Sequence, residues 1–364
     1  MGMRQPLPFG PHWYSAVMGT GIVALVLEGL PFSLPGAHDV ALAFWLLAAA
    51  LLIAVTTVML RLLHRDRAML ARHVDDPAIA PFFGAPAMAL LTVGAGTVAT
   101  GQGVLGPALA VRLDALLWVL GTLLGLITAV GIPYRAIVHH GLADDSATGG
   151  WLMPVVPPMV SATTGAALVP HLPAGQAQET MLLACYAFFG LTAIAGFLVL
   201  NQLWHRLLRH GPLSPAIAPT VWIVLGFLGQ STTAAHHLGT LAPAVVPQYG
   251  DALGMLTICY GVPVWGFTML WLALAMALTT RQVRDGLPYA PSWWSFTFPV
   301  GAVTTGTSAL AATTGLLLFA TAAGLLLVLL VLGWTTAAAG TVRALWVGIP
   351  APRSTQPPGE AVTA

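Results

Sequence analysis

Trp293-Trp-Ser-Phe-Thr-Phe-Pro-Val-Gly-Ala-Val-Thr-Thr-Gly-Thr-Ser-Ala-Leu310 is apolar enough for a membrane, yet it carries a proline, two glycines and a run of hydroxyls. A lipid-facing helix would carry Leu and Val at those places. Pro299 is tolerated in mid-membrane only where neighbouring helices, hydroxyls or water satisfy the carbonyls it frees. The segment is therefore expected to be shielded from lipid, against packed protein or a water-filled path. Related stretches recur four more times upstream.

The rest of the chain fits that setting. Of its 364 residues, 57% are hydrophobic and only 7% charged, against roughly 25% charged in a soluble domain. The expectation is an all-α polytopic membrane protein. About 20 apolar residues cross a bilayer core. That length gives ten spans, at roughly 12–30, 40–62, 83–103, 113–133, 151–170, 180–204, 218–240, 252–279, 292–311 and 314–342. The first reads as a span and not as a cleaved leader, since no small-residue cleavage site follows it. One transmembrane domain over residues 1–349 is expected, followed by a disordered Pro-rich tail over 350–364.

Odd and even spans differ in kind. The odd ones carry a proline near their start and a glycine about two turns later: Pro11 to Gly19, Pro86 to Gly94, Pro158 to Gly165, Pro219 to Gly226, Pro299 to Gly306. A seven-residue step returns to nearly the same helix face. Spans two and ten are Leu/Ala-rich, have no proline, and read as lipid-facing walls. The repeat is thus an inner helix plus an outer helix, five times over. Ten transmembrane helices would form five tandem hairpins, with a central pore inside the inner ring. Small residues also serve plain helix packing. It is their confinement to alternate helices that favours a pore.

All thirteen cations are arginine. Twelve fall in loops after even-numbered spans or at the termini; Arg112 alone falls after an odd one. Positive loops stay inside, so both termini are expected to be cytoplasmic, in a cell or inner membrane. No Asp, Glu, Lys or Arg is expected in mid-span, with Glu28, Asp114, Glu179 and Asp251 at outer ends. That argues against a proton relay built from intramembrane carboxylates and against a tight substrate site with a bidentate arginine clamp. An intramembrane enzyme lacks its clustered nucleophiles and bases, and a sensor lacks a soluble signalling domain. No catalytic residue, cofactor, metal or nucleic-acid partner is expected. Cys185 and Cys259 read as free buried thiols. His236 and His237 point about 100° apart and do not share a metal easily, but a titrating imidazole at the outer mouth would make flux pH-dependent. Trp45, Trp118 and other span-end tryptophans read as interfacial belts. What remains for ion chemistry is hydroxyls and opened backbone: Thr20, Thr92, Thr97, Thr163, Thr164, Thr304 and Thr305.

The run Trp13-Tyr-Ser-Ala-Val-Met-Gly-Thr-Gly-Ile-Val-Ala resembles the first helix of the tellurite-resistance/dicarboxylate transporter family, and Trp293-Trp-Ser-Phe-Thr-Phe-Pro its ninth. That family includes fungal malate permease, fungal sulfite efflux pump and the plant guard-cell slow anion channel. The resemblance covers nearly the whole chain and implies ten helices around a pore, a homotrimer in the lipid bilayer, and a small-anion substrate. C4-dicarboxylates such as malate, or sulfite, are the implied substrates; a passive channel for chloride and nitrate is the alternative. It also implies a gate at the phenylalanine before the ninth-helix proline, here Phe298. Pro299, Gly19, Thr20, Gly21, Thr163, Thr164, Thr304 and Thr305 are the expected pore lining.

Overall fold

The computed structural model describes residues 4–5, 9–347 and 349–350. These form twelve α-helices: α1 (Tyr14–Glu28), α2 (Ala37–Arg65), α3 (Ala68–Asp75), α4 (Gly84–Ala99), α5 (Gln102–Leu105), α6 (Pro107–Arg135), α7 (Pro157–Gly165), α8 (Gln176–His210), α9 (Ile223–Val245), α10 (Gly250–Arg284), α11 (Phe298–Thr314) and α12 (Leu317–Val347). Six helical stretches are long and apolar enough to cross a membrane: Ala37–Arg65, Ala80–Ala99, Pro107–His140, Gln176–His210, Gly250–Arg284 and Leu317–Val347.

The other four expected spans are also helical, but shorter or more polar. The nine residues of α7 rise only ~14 Å, under half of a ~30 Å hydrocarbon core. 3-10 turns over Gly149–Leu152 and Ala166–His171 flank that helix. Helix α9 is long, but Gln230, Ser231, His236 and His237 lower its apolarity. Pro299 follows its reading as a proline near a span start and not its reading as a mid-membrane proline. The chain breaks at Thr297 (φ −102°, ψ −80°), and Pro299 sits in the first turn of α11. The N–H it lacks is one that a helix start leaves unbonded in any case.

Helices α1, α4, α7, α9 and α11 each pack on the next, and α11 returns to α1. The result is a ring of five. Each is entered through a 3-10 turn: Pro11–Trp13, Ala80–Phe83, Gly149–Leu152, Ala218–Trp222 and Pro291–Phe296. Those turns touch one another around their own closed circle. All five ring helices therefore start at one end and run the same way. They are buried nearly all round; in α1 only Leu25 and Glu28 are not buried.

Helices α2, α6, α8, α10 and α12 lie outside the ring, each against the ring helix it follows. Each buries a single stripe. In α12 the stripe is Phe319, Ala323, Leu326, Leu330, Ala337, Thr341 and Ala344, a three-and-four spacing that keeps to one face. Leu317, Leu325 and Leu332 on its other faces are exposed. In α10 the stripe runs through Thr257, Gly261 and Val264. Cys259 falls off it and is exposed, contrary to its sequence reading; Cys185 is buried, and both are free thiols.

Indole N–H groups tie outer helices to the next ring helix. Trp45 of α2 donates to the Val93 carbonyl of α4 (3.3 Å), and Trp118 of α6 to the Ser161 carbonyl of α7 (2.9 Å). Trp265 of α10 donates to Thr307 Oγ1 of α11 (3.0 Å), and Trp334 of α12 to Thr20 Oγ1 of α1 (3.1 Å). The last of these closes the circle. An unbonded N–H in an apolar surround costs several kcal/mol, so these bonds fix how far one helix slides along the next. Trp45 and Trp118 thus point inward and are not interfacial anchors. Arg4–Gln5 pairs antiparallel with Ile349–Pro350. Of the tail expected from residue 350, all but Pro350 lies outside the described residues.

Candidate functional site

Two cavities lie inside the ring, one above the other. The larger, about 420 Å³, opens at the end away from the 3-10 turns, where Glu28, Gly29, Ala99 and Ala312 form its rim. The smaller, about 20 Å³, lies near the helix starts among Met18, Met88, Ile223, Gly226 and Pro299. A space of that size admits about one water. Phe298 lines both cavities. The residue is 2% exposed, and the helix break at Thr297 immediately precedes it.

The expected pore residues divide. Thr163 and Thr164 of α7 and Thr305 of α11 line the larger cavity, as does Thr92 of α4. Pro299 lines the smaller one. Gly19, Thr20, Gly21 and Thr304 line neither. A Cβ on Gly19 would fall on the Thr297 side chain, and one on Gly21 would come within 2.9 Å of Thr92 Cγ2. Both glycines therefore serve close helix contact. Thr20 donates to the Ala16 carbonyl (2.7 Å) and accepts from Trp334 (3.1 Å), so it faces α12. Thr304 is fully buried and donates to the Val300 carbonyl (2.8 Å).

Gln230, Thr233, Ser308 and Glu28 are polar cavity residues outside the expected set. Gln230 belongs to a visibly polar run in α9. Ser308 has nothing in the sequence to separate it from its neighbours. Glu28, at the rim, pairs with His38 (Nδ1 to Oε1, 2.8 Å). Unit charges ~10 Å apart in water interact by about 0.4 kcal/mol. Glu28→Gln is therefore expected to raise anion flux about twofold at low salt, with the gain shrinking as salt screens it. Liposome flux of the variant across a salt series checks this; an unchanged or lowered flux refutes it.

Asp114 also departs from its sequence reading as a span-end residue. Helix α6 begins at Pro107, so Asp114 lies in its second turn, fully buried. A Cβ on Gly94 would come within 2.7 Å of Asp114 Oδ1, so the carboxyl packs on α4. Neither of its oxygens has a hydrogen-bond partner among the described residues. It lies behind the ring wall and lines neither cavity.

Six helices long and apolar enough to cross a membrane, with two cavities inside the helix ring, describe a multi-pass membrane protein. Residues 8–342 match the SLAC1 family of voltage-dependent anion channels, and the chain belongs to that family. It is similar to the sulfite efflux pump of Trichophyton rubrum, at 27% identity over 92% of this chain and 90% of that one. It is similar also to an uncharacterized transporter of Methanocaldococcus jannaschii, at 29% identity over 81% of each. The sulfite efflux pump of Candida albicans is 22% identical over 83% of this chain and 66% of that one.

Proposed function

We propose that the protein moves small anions, with sulfite the first substrate to test, along the axis of the ring, and that Phe298 is the gate. The single observation that carries this is Phe298 standing between two cavities and lining both. In this reading ten helical segments cross the bilayer as five hairpins, the short α7 with its flanking 3-10 turns among them. The arginine distribution and the paired chain ends support cytoplasmic termini. A homotrimer in the plasma or inner membrane is the assembly that the resemblance implies.

Moving a small anion into a dry low-dielectric medium costs on the order of 20 kcal/mol in the idealised limit. Water in the larger cavity and polar groups on its wall offset that cost over most of the path. The apolar stretch around Phe298 is where the offset fails, and there a phenyl ring stops both water and ion. Proteoliposome flux of sulfite, malate, chloride and nitrate, with and without a pH gradient, tests the reading. Flux of at least one anion well above empty liposomes is expected. No flux of any of them overturns it. Dependence on the gradient marks a carrier, and passive current a channel.

A further inference from the structure

We propose that Gln230, Ser308 and His237 form a binding site, on the wall of the larger cavity, for a small oxyanion that keeps one proton, such as hydrogen sulfite. This deepens the anion-transport reading and rests on it.

Most hydroxyls of this cavity have already committed their hydrogens. Thr92 donates to the Met88 carbonyl (2.7 Å), Thr163 to Met159 (2.9 Å), Thr164 to Val160 (2.9 Å), Thr233 to Gly229 (3.0 Å) and Thr305 to Ala302 (2.9 Å). Such back-bonding is common for Thr in membrane helices. It leaves oxygen lone pairs towards the cavity, and lone pairs do not hold an anion. Two side chains are different. Ser308 Oγ and Gln230 Oε1 are buried without a hydrogen-bond partner among the described residues, in residues only 5% and 4% exposed. Both residues line the cavity. Ser308 brings a free O–H; of the Gln230 carboxamide it is the two N–H donors, and not the unpaired oxygen, that suit an anion.

His237 contributes the opposite polarity. Its Nδ1 lies 3.3 Å from the Thr163 carbonyl oxygen. A carbonyl can only accept, so Nδ1 carries the hydrogen and Nε2 of the neutral ring carries a lone pair. That carbonyl is available because α7 ends at Gly165 and tightens into a 3-10 turn. Thr163 also joins the site together, since its Oγ1 lies 3.4 Å from the Gln230 carbonyl oxygen. His236 is set in the same way. Its Nδ1 is 2.8 Å from Thr313 Oγ1, whose hydrogen goes to the Ala309 carbonyl (2.9 Å).

The wall thus offers donors at Gln230 and Ser308 and a basic nitrogen at His237. A monoprotonated oxyanion matches it: charged oxygens to the donors, acid O–H to Nε2. Chloride and nitrate have no hydrogen to give, and would face Nε2 lone pair to lone pair. The other titratable groups on this cavity are His236 and Glu28, the latter paired with His38. Helices α7 and α11 bring no titratable side chain to α9. Helix α10 brings Tyr260 and the exposed Asp251 and Cys259; α8 brings Glu179, Cys185 and Tyr186.

The test is the ratio of hydrogen sulfite flux to nitrate flux at neutral pH in proteoliposomes. His237→Asn keeps a donor for the Thr163 carbonyl and removes the basic nitrogen. It is expected to lower the ratio of hydrogen sulfite flux to nitrate flux about tenfold. Ser308→Ala is expected to lower both fluxes together and leave the ratio alone. If His237→Asn fails to insert, His237→Phe, which keeps a ring without the nitrogen, is expected to lower the ratio by the same factor. A ratio within twofold of wild type in the inserted His237 variant overturns the site while anion transport stands. A wild-type protein that moves neither anion overturns the transport reading, and this one with it.

Discussion

Phe298→Ala is expected to raise anion flux by one to two orders of magnitude. Among the described residues, Phe298 alone lines both the cavity of about 420 Å³ and the one of about 20 Å³. Removing it joins the two and lets water follow through a constriction that works by dewetting. A tenfold change in rate is ~1.4 kcal/mol of barrier, a modest demand on a residue that blocks water and ion together. Loss of a core phenylalanine ordinarily costs ~3–5 kcal/mol of stability. Phe298 is 2% exposed and belongs to the main hydrophobic core, so a cost in that range is expected here as well. Planar-bilayer current or liposome flux, normalised to inserted protein, checks the prediction. Currents no larger than wild type in well-inserted Phe298→Ala remove Phe298 from the gate.

Much of the architecture was legible from composition alone, for a physical reason. An outer helix meets protein on one side and lipid on the other, so α2 and α12 could be read as walls of Leu and Ala. A ring helix meets protein all round and is therefore small and hydroxyl-rich on every face. That is enough to place α1 and α11 inside. It is not enough to orient them, because a helix buried on all sides has no polar stripe to read. Thr20 and Thr305 look alike in sequence, yet one is held by Trp334 and the other faces the cavity. Pro299 could be read two ways for a different reason. A proline in an apolar run signals either a kink or a helix start, and only the break at Thr297 tells them apart. Asp114 depended on a boundary: moving the start of α6 to Pro107 carries the carboxyl from the rim into packed protein. Tryptophans near span ends fit a belt on position alone, and only their acceptors show that Trp45 and Trp118 turn inward.

Gly229→Ala and Gly226→Ala, three residues apart on α9, are expected to fail in opposite ways. A Cβ on Gly229 would overlap the Ala302–Val303 peptide of α11, and one on Gly306 would come within 2.8 Å of the Gly229 carbonyl oxygen. The two helices cross backbone against backbone there, as small residues allow in membranes. A peptide cannot rotate away as a side-chain tip can, so the ring must open at α9–α11. Overpacking of this kind costs ~1–3 kcal/mol and occasionally more. Gly229→Ala is therefore expected to lower the melting temperature in detergent clearly, with aggregated or uninserted protein and no flux. At Gly226 the added methyl meets only Pro299, at 3.5–3.6 Å, which is ordinary contact. Gly226→Ala is expected to insert and melt like wild type. Yet Gly226 borders the smaller cavity beside Phe298, and a methyl group there takes the room of its one water. In the Phe298→Ala background it is expected to cut the released flux several-fold. The pair separates packing from permeation on one helix, because fold and passage are lined by the same residue type at different turns. A Gly226→Ala change that destabilised the protein while Gly229→Ala left it intact would mean that α9 presents the opposite face to the axis.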